Sequence, residues 1–234
     1  MKKVAVIQSN YIPWKGYFDI IHDVDVFVFY DDLQFTKNDW RNRNKIKTPR
    51  GAEWITIPVG TDLRRLICEV ELRDSSWQQR HWDILLLNYK KAPHFRTYRG
   101  FLEDVLLGRT WSNLSELNHF LIRSIAHDFL GITTEFIDSR EFKAQGQRQE
   151  RLIDLLVKAG ADSYVSGPAA RDYIDPALFE SAGIELVYKS YAGYPEYAQM
   201  HPPFDHGVSI LDLLFNVGPR APEFIWGWRD RKEA

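Results

Sequence analysis

The sequence predicts an α/β protein: a mainly parallel sheet covered by helices, with a helical insertion in the middle of the chain. Two observations carry this. Strand-length apolar runs alternate with helix-period segments at both ends of the chain, whereas residues 75–131 read as helical throughout. Near the amino terminus, a strand, a helix and a second strand follow within about thirty residues, the order of a parallel unit.

Each element has a local reason. "KKVAVIQS" is an apolar run suited to a strand buried on both faces. "KGYFDIIHD" follows Pro13 and sets Tyr17, Ile20 and Ile21 at helical spacing. "DVFVFYDD" is a strand that stays apolar until it meets Asp31 and Asp32. "LQFTKNDWRNRNKIKTPRG" lacks clear periodicity and reads as a long loop, whereas "AEWITIPVG" and "RLICEVEL" read as strands. The helical middle has cap candidates at Ser75 or Ser76 and at Ser112 or Asn113, and a stop at Gly131. "ITTEFIDS" is a strand, and "RQERLIDLLVKAGA" is an amphipathic helix with Leu152, Leu155 and Leu156 on one stripe. "DSYVSG" is a strand, after which Pro168 can open a short helix. "IELVYKSY" is the last strand and "GVSILDLLFNVG" a final core helix. A single α/β domain over residues 1–234, with 75–131 as its helical subdomain, is the expected organisation.

Composition excludes several classes. A net charge of -2 argues against a strongly basic nucleic-acid footprint, and no DNA partner is expected. Cys68 is the only cysteine, so no internal disulfide can form; within "LICEVEL" it reads as a buried strand thiol in a reducing compartment. No apolar run reaches the ~18 residues of a bilayer span, and the run after "MKK" is too short for a secretory signal. A cytoplasmic location and no membrane partner are expected.

Ligands of open α/β sheets bind outside the carboxyl ends of the strands. Four segments fall there. In "QSNYIPWKGYFDII", Gln8, Asn10, Tyr11 and Trp14 form a polar, aromatic turn without phosphate-loop glycines. Its aromatics can stack on a base or a sugar, or simply pack in the core. In the second segment, Asp31 and Asp32 can act as general base or hold an amine, or can cap a turn or pair with a cation. Behind them Gln34, Lys37, Trp40, Arg41, Asn42, Arg43, Asn44 and Lys45 combine a stacking face with cations suited to a pyrophosphate. The alternative is a solvated basic loop. Third, Ser166, Gly167 and Arg171 lie where a strand meets a helix start, a common anion pocket. Fourth, Tyr194, Glu196 and His206 lie in an aromatic, proline-rich loop, where His206 can move a proton or cap the last helix. His201 and His206 with Glu196 match no metal-ligand spacing, so no metal site is expected. His22, His81, His94, His119 and His127 fall in helical patterns and read as structural.

"QSNYIPWKGYFDII", "DDLQFTKNDWRNRNKIK", "WITIPV", "YVSGPAARDYI", "GYPEY" and "PFDHGVSILDLLFN" together resemble the WbqC-like protein family over nearly the whole chain. That family usually has Pro at the position of Ala198 and Lys-Thr at Arg148 and Gln149. The resemblance implies bacterial surface-polysaccharide (O-antigen) biosynthesis. It also implies transfer of glycine or another acyl group to the amine of a dTDP-linked 4-amino-4,6-dideoxyhexose, so the expected partner is a small-molecule nucleotide sugar. The donor stays open between an acyl adenylate made with ATP-Mg, a carrier thioester and an aminoacyl-tRNA. A non-catalytic nucleotide-sugar binding protein and a nucleotidyltransferase are the competing readings. "VAVIQSNYIPWKGYFDII" is also similar to the first strand, turn and helix of the HIGH-superfamily adenylyltransferases, which implies a Rossmann-like sheet. Trp14, Gly16 and Tyr17 stand where that motif has His, Gly and His.

Overall fold

The structure is a computed structural model that describes residues 1–229, so residues 230–234 of the expected domain lie outside the described residues. Its centre is a five-stranded, all-parallel sheet: β1 (Lys3–Ile7), β2 (Val26–Phe29), β5 (Glu135–Asp138), β6 (Ser163–Ser166) and β7 (Glu185–Tyr188). The spatial order is β5-β2-β1-β6-β7. The chain builds outward from β1 to β2 and β5, then returns to the other side of β1 with β6 and β7. The Rossmann-like character expected of the fold follows from this winding. It leaves a topological switch point between the carboxyl ends of β1 and β6.

Side-chain alternation makes the sheet the middle layer. Val4 and Val6, Val26 and Val28, and Tyr164 face one way, with α5 (Arg148–Lys158) supplying Leu155 and Leu156. Ala5, Phe27, Phe29 and Val165 face the other, covered by Tyr17, Phe18, Ile20 and Ile21 of α1 (Lys15–His22). Strands buried on both faces need continuous apolar runs, which is how they read. The helical middle comprises α2 (Ser76–Tyr89), α3 (Phe95–Glu103) and α4 (Leu114–Ser124). Asn113 caps α4 by accepting the Glu116 amide at 3.1 Å. The helix α6 (Pro176–Ser181) precedes β7, and α7 (Ile210–Val217) starts on Ser209, whose Oγ accepts the Leu211 amide. Ser209, rather than His206, therefore caps the last helix.

Three local expectations are corrected. The segment read as a long loop contains β3 (Arg43–Thr48), paired antiparallel with β4 (Gly51–Thr56). Its period of two is hidden because buried Asn42 and Asn44 take positions usually held by apolar residues. Their amides are satisfied: Asn42 Nδ2 donates to Ile57 O at 2.8 Å, and Asn44 Nδ2 to Tyr11 O and Ile12 O at 3.0 and 2.9 Å. "RLICEVEL" forms a single 3-10 turn, Ile67–Glu69, instead of a strand. Cys68 is consequently half-buried rather than buried. Pro168 does open a short helix, a 3-10 turn over Pro168–Asp172.

Candidate functional site

Beside the switch point, the turn after β1 borders a pocket of about 280 Å³ lined by Asn10, Pro13, Trp14, Trp40, Asn44 and Gly207. A larger hollow of about 560 Å³, lined by residues such as Lys3, Asp25 and Thr134, lies at the strands' amino ends. Open α/β sheets present ligands at the opposite edge, so the smaller aromatic pocket is the stronger candidate. Its size suits one ring, a base or a sugar.

Trp14 is the inner wall. It sits at the start of α1, bridged to Ser209, and meets Tyr191 edge-on at 5.0 Å between centroids and Tyr194 at 6.1 Å. Tyr194 is fixed in turn by its hydroxyl, 2.5 Å from the buried carboxylate of Asp19. Lys15 lies over the Tyr194 ring at 4.7 Å and donates to Pro195 O. Burial lowers the Lys15 pKa to about 8 against the pull of Asp19. Trp40 is the outer wall, 39% exposed, and its ring meets Trp54 at 5.0 Å. The Arg43 guanidinium covers Trp54 at 4.1 Å, with Lys45 Nζ at 5.3 Å. An aromatic and cationic rim therefore continues from the pocket along the β3–β4 hairpin.

Arg41 has a different place from the anion-binding one expected of it. Its guanidinium reaches Gln8 O and Ser9 O at 3.4 Å, Gln8 Oε1 at 3.2 Å, and Asn10 Oδ1. It acts as a strut that shapes the turn after β1. Tyr11 is also corrected: it is a core residue, 1% exposed, with Trp77 edge-on at 6.2 Å. Its hydroxyl pairs with His81 Nδ1 at 2.9 Å. Asn42 and Asn44 chiefly hold backbone, although Asn44 also borders the pocket. Gln34 and Lys37 are exposed further along the excursion, where Gln34 Nε2 donates to Leu63 O.

His206 is half-buried at the back of this region, 6.3 Å from the Tyr194 ring, and its buried Nδ1 has no partner. Burial and nearby Lys15 lower its pKa, against Glu196 and Asp205. Glu196 itself is exposed. On the other side of the switch point, Ser166 Oγ donates to the Tyr164 hydroxyl at 3.3 Å. A Cβ on Gly167 would lie 3.8 Å from the Tyr191 hydroxyl, which ties that turn to the aromatic wall. Arg171 is directed elsewhere, exposed and over Tyr188 at 4.8 Å.

The aspartate pair divides. Asp32 pairs with Arg151 and accepts from Ser139 Oγ at 2.5 Å. Asp31 is 0% exposed, so it cannot itself meet a ligand. Its Oδ1 accepts the Ser9 amide at 2.7 Å. Its Oδ2 accepts Ser9 Oγ and Ser115 Oγ at 2.6 Å each and His119 Nε2 at 2.9 Å. Burial alone would raise this carboxyl's pKa, yet the bonds from His119, Ser115 and Ser9 hold it below the ordinary value. Asn118 completes the cluster, donating to Ser9 Oγ at 3.2 Å and Arg41 O at 2.9 Å. His119, expected to be structural, thus joins the carboxylate cluster. Ser115, Asn118 and His119 share one helix face by their i, i+3, i+4 spacing. That spacing is the only trace in the sequence, because their partner Asp31 is remote in the chain. Trp54 left no trace at all, since an aromatic in a strand is ordinary.

The fold and the site define an open α/β protein with an aromatic crevice at its switch point. The chain belongs to the WbqC-like protein family, whose model matches residues 8–224. It is also 45% identical over 227 residues to "Uncharacterized protein Rv1507c" of Mycobacterium tuberculosis (strain ATCC 25618 / H37Rv). The match covers 96% of this chain and 98% of that relative. Among the described residues, no helix is long and apolar enough to cross a membrane.

Proposed function

We propose that the protein binds a nucleotide-linked amino-deoxy sugar at the carboxyl edge of the sheet and N-acylates its amine, with a glycyl or other aminoacyl group as the donated unit. The observation that carries this reading is the pocket between Trp14 and Trp40, with Asn10 and Asn44 on its wall and Arg43 and Lys45 along its rim. A flat ring stacks between or beside indoles, the Asn10 amide reads its polar edge while the buried Asn44 shapes the wall, and cations on the rim meet a pyrophosphate. Family membership supports the polysaccharide context. The acyl donor is an activated ester, thioester or anhydride, because an amide bond requires a leaving group.

A nucleotidyltransferase reading has less support. At the two positions where the adenylyltransferase motif has histidines, the Trp14 indole lies over Gly16 and the Tyr17 hydroxyl donates to Gln8 O at 3.0 Å. Neither group can carry the positive charge an imidazolium would give to a transferring phosphate.

The test is thermal-shift and calorimetric titration with dTDP, a dTDP-4-amino-4,6-dideoxyhexose and its 4-hydroxy counterpart, followed by an amine-consumption assay with glycine and ATP-Mg, glycyl thioester or glycyl-tRNA. Stabilisation by the amino sugar and loss of amine with one donor are expected. Binding without turnover under every donor would leave a binding protein in place of the enzyme. No binding of any nucleotide sugar would sink both.

A further inference from the structure

We infer that His119, held by Asp31, is the proton acceptor for the substrate amine; this rests on the acyl-transfer reading above. Three features of the carboxylate cluster point there. First, Asp31 is fully buried and its two oxygens already accept four hydrogen bonds, so it has no access to a substrate of its own. The only titratable group in that set is the His119 imidazole, bonded through Nε2. Second, an ionised carboxylate accepts only, so Nε2 carries a proton and, in the neutral form of the ring, the lone pair lies on Nδ1. No described residue hydrogen-bonds Nδ1, and the side chain keeps 13% of its surface exposed. Third, the ring is immobilised, stacked on Phe29 at 3.8 Å and 14°. A buried acid that fixes the tautomer of a part-exposed imidazole is the arrangement that supports general-base catalysis.

The cluster is tied to the proposed pocket through chain neighbours of its lining residues. Ser9 donates to Asp31 through both its amide and its hydroxyl, and its neighbour Asn10 borders the pocket. Asn118, the residue before His119, bonds to Ser9 Oγ and to Arg41 O, one residue from Trp40. The charged groups around the imidazole are Asp31 from the end of β2, Asp138 and Arg140 from the end of β5, and Arg123 from α4, over the same Phe29 ring.

The step balances as follows. The sugar arrives as an ammonium, and Nδ1 takes one of its protons, leaving a neutral amine and an imidazolium paired with Asp31. The amine lone pair forms the C–N bond to the activated acyl carbon. The bond to the ester, thioester or anhydride leaving group breaks with its electron pair. The second amine proton leaves with that group, and the imidazolium returns its proton to solvent.

The experiment has two arms. The first is ¹⁵N NMR of histidine-labelled protein. In the neutral His119 ring a protonated Nε2 and a bare Nδ1 are expected, with the tautomers mixing in Asp31→Asn; a bare Nε2 in the wild type overturns the inference. The second arm adds the dTDP-amino sugar and its 4-hydroxy counterpart. The amino sugar is expected to move the Nδ1 resonance, and the hydroxy sugar much less. Binding with no change at Nδ1 sinks the inference alone, whereas no binding by any nucleotide sugar sinks the reading it rests on and the inference with it. Once turnover is measured, His119→Asn should keep its affinity for the sugar and lose roughly 10²–10⁴-fold in kcat, with partial rescue by added imidazole. Wild-type kcat in His119→Asn overturns the assignment.

Discussion

Trp14 folds its indole over Gly16: a Cβ on residue 16 would lie 2.2 Å from Cζ2 of Trp14. Gly16 is inside α1, where alanine would otherwise be the better helix former. Gly16→Ala should therefore displace the indole from the pocket wall, costing about 1–3 kcal/mol from overpacking and weakening nucleotide-sugar binding. In a Trp14→Ala background the same change should become neutral or stabilise by up to roughly 1 kcal/mol. A double-mutant cycle by urea denaturation reads the coupling; additive costs would contradict the contact.

The exposed indoles separate affinity from stability. Trp40→Ala should weaken binding of the dTDP-amino sugar by about 1–3 kcal/mol, the worth of one stacked ring. Trp54 only supports Trp40 and Arg43, so Trp54→Ala should cost less. Both side chains are over a third exposed, so unfolding midpoints should barely move. Isothermal titration on the two variants checks the order.

A charged clamp at the back of the pocket should matter for both. Asp19 is fully buried, with Lys189 Nζ 2.9 Å from Oδ1, and it also meets Arg229 and the Tyr194 hydroxyl. Breaking a buried pair leaves an uncompensated charge, so Lys189→Ala should cost about 3–5 kcal/mol. Arg229 is a third exposed, and Arg229→Ala should cost less. Either change loosens Tyr194, and with it the packing behind Trp14. Equal stability losses in the two variants would argue against this account of the clamp.

His81 sets a pH dependence of known sign. Its Nε2 donates to Thr56 O at 3.2 Å and its Nδ1 accepts the Tyr11 hydroxyl at 2.9 Å, so the folded ring is neutral. Burial lowers its pKa from 6.5 to about 4. Between those values the unfolded chain binds the extra proton, so stability is complete above the unfolded pKa and falls as pH drops towards 4. The loss is about 3 kcal/mol at most. His81→Gln should flatten that window, leaving the smaller slope of the same sign from His206. Denaturation curves across the window decide it.

Asp31 and Asp212 are both buried carboxyls with opposite expected slopes. Asp31 has a lowered pKa, so its contribution is present above the ordinary carboxyl value and is lost in stronger acid. Asp212 accepts from Tyr89, Tyr197 and Gln199, but burial outweighs these bonds and raises its pKa. Its contribution is present below the ordinary value and is lost as pH rises through the raised one. The stability of Asp212→Asn relative to wild type should therefore improve with rising pH, and that of Asp31→Asn should worsen. Parallel curves for the two variants would rule this out.

The sequence by itself determined the layered α/β architecture. Strands buried on both faces and one-sided helices must display their burial as apolar runs and as the 3.6-residue period, so β1, β2, β5, β6 and α5 were legible. It also pointed to the turn after β1, because aromatics among Asn, Gln and Pro are hard to place in a core. Only the tertiary structure decided which of those residues face a ligand. Tyr11 went to the core because His81 and Trp77 receive it there, and Arg41 became a strut because the carbonyls of the β1 turn surround it. β3 was hidden because Asn44 within it and Asn42 just before it, both bonded to backbone, take buried positions. The pairing of Asp31 with His119 spans 88 positions of sequence, and no local period encodes such a contact. Pair geometry of that kind is set by how β2 and α4 pack, which is a property of the folded chain alone.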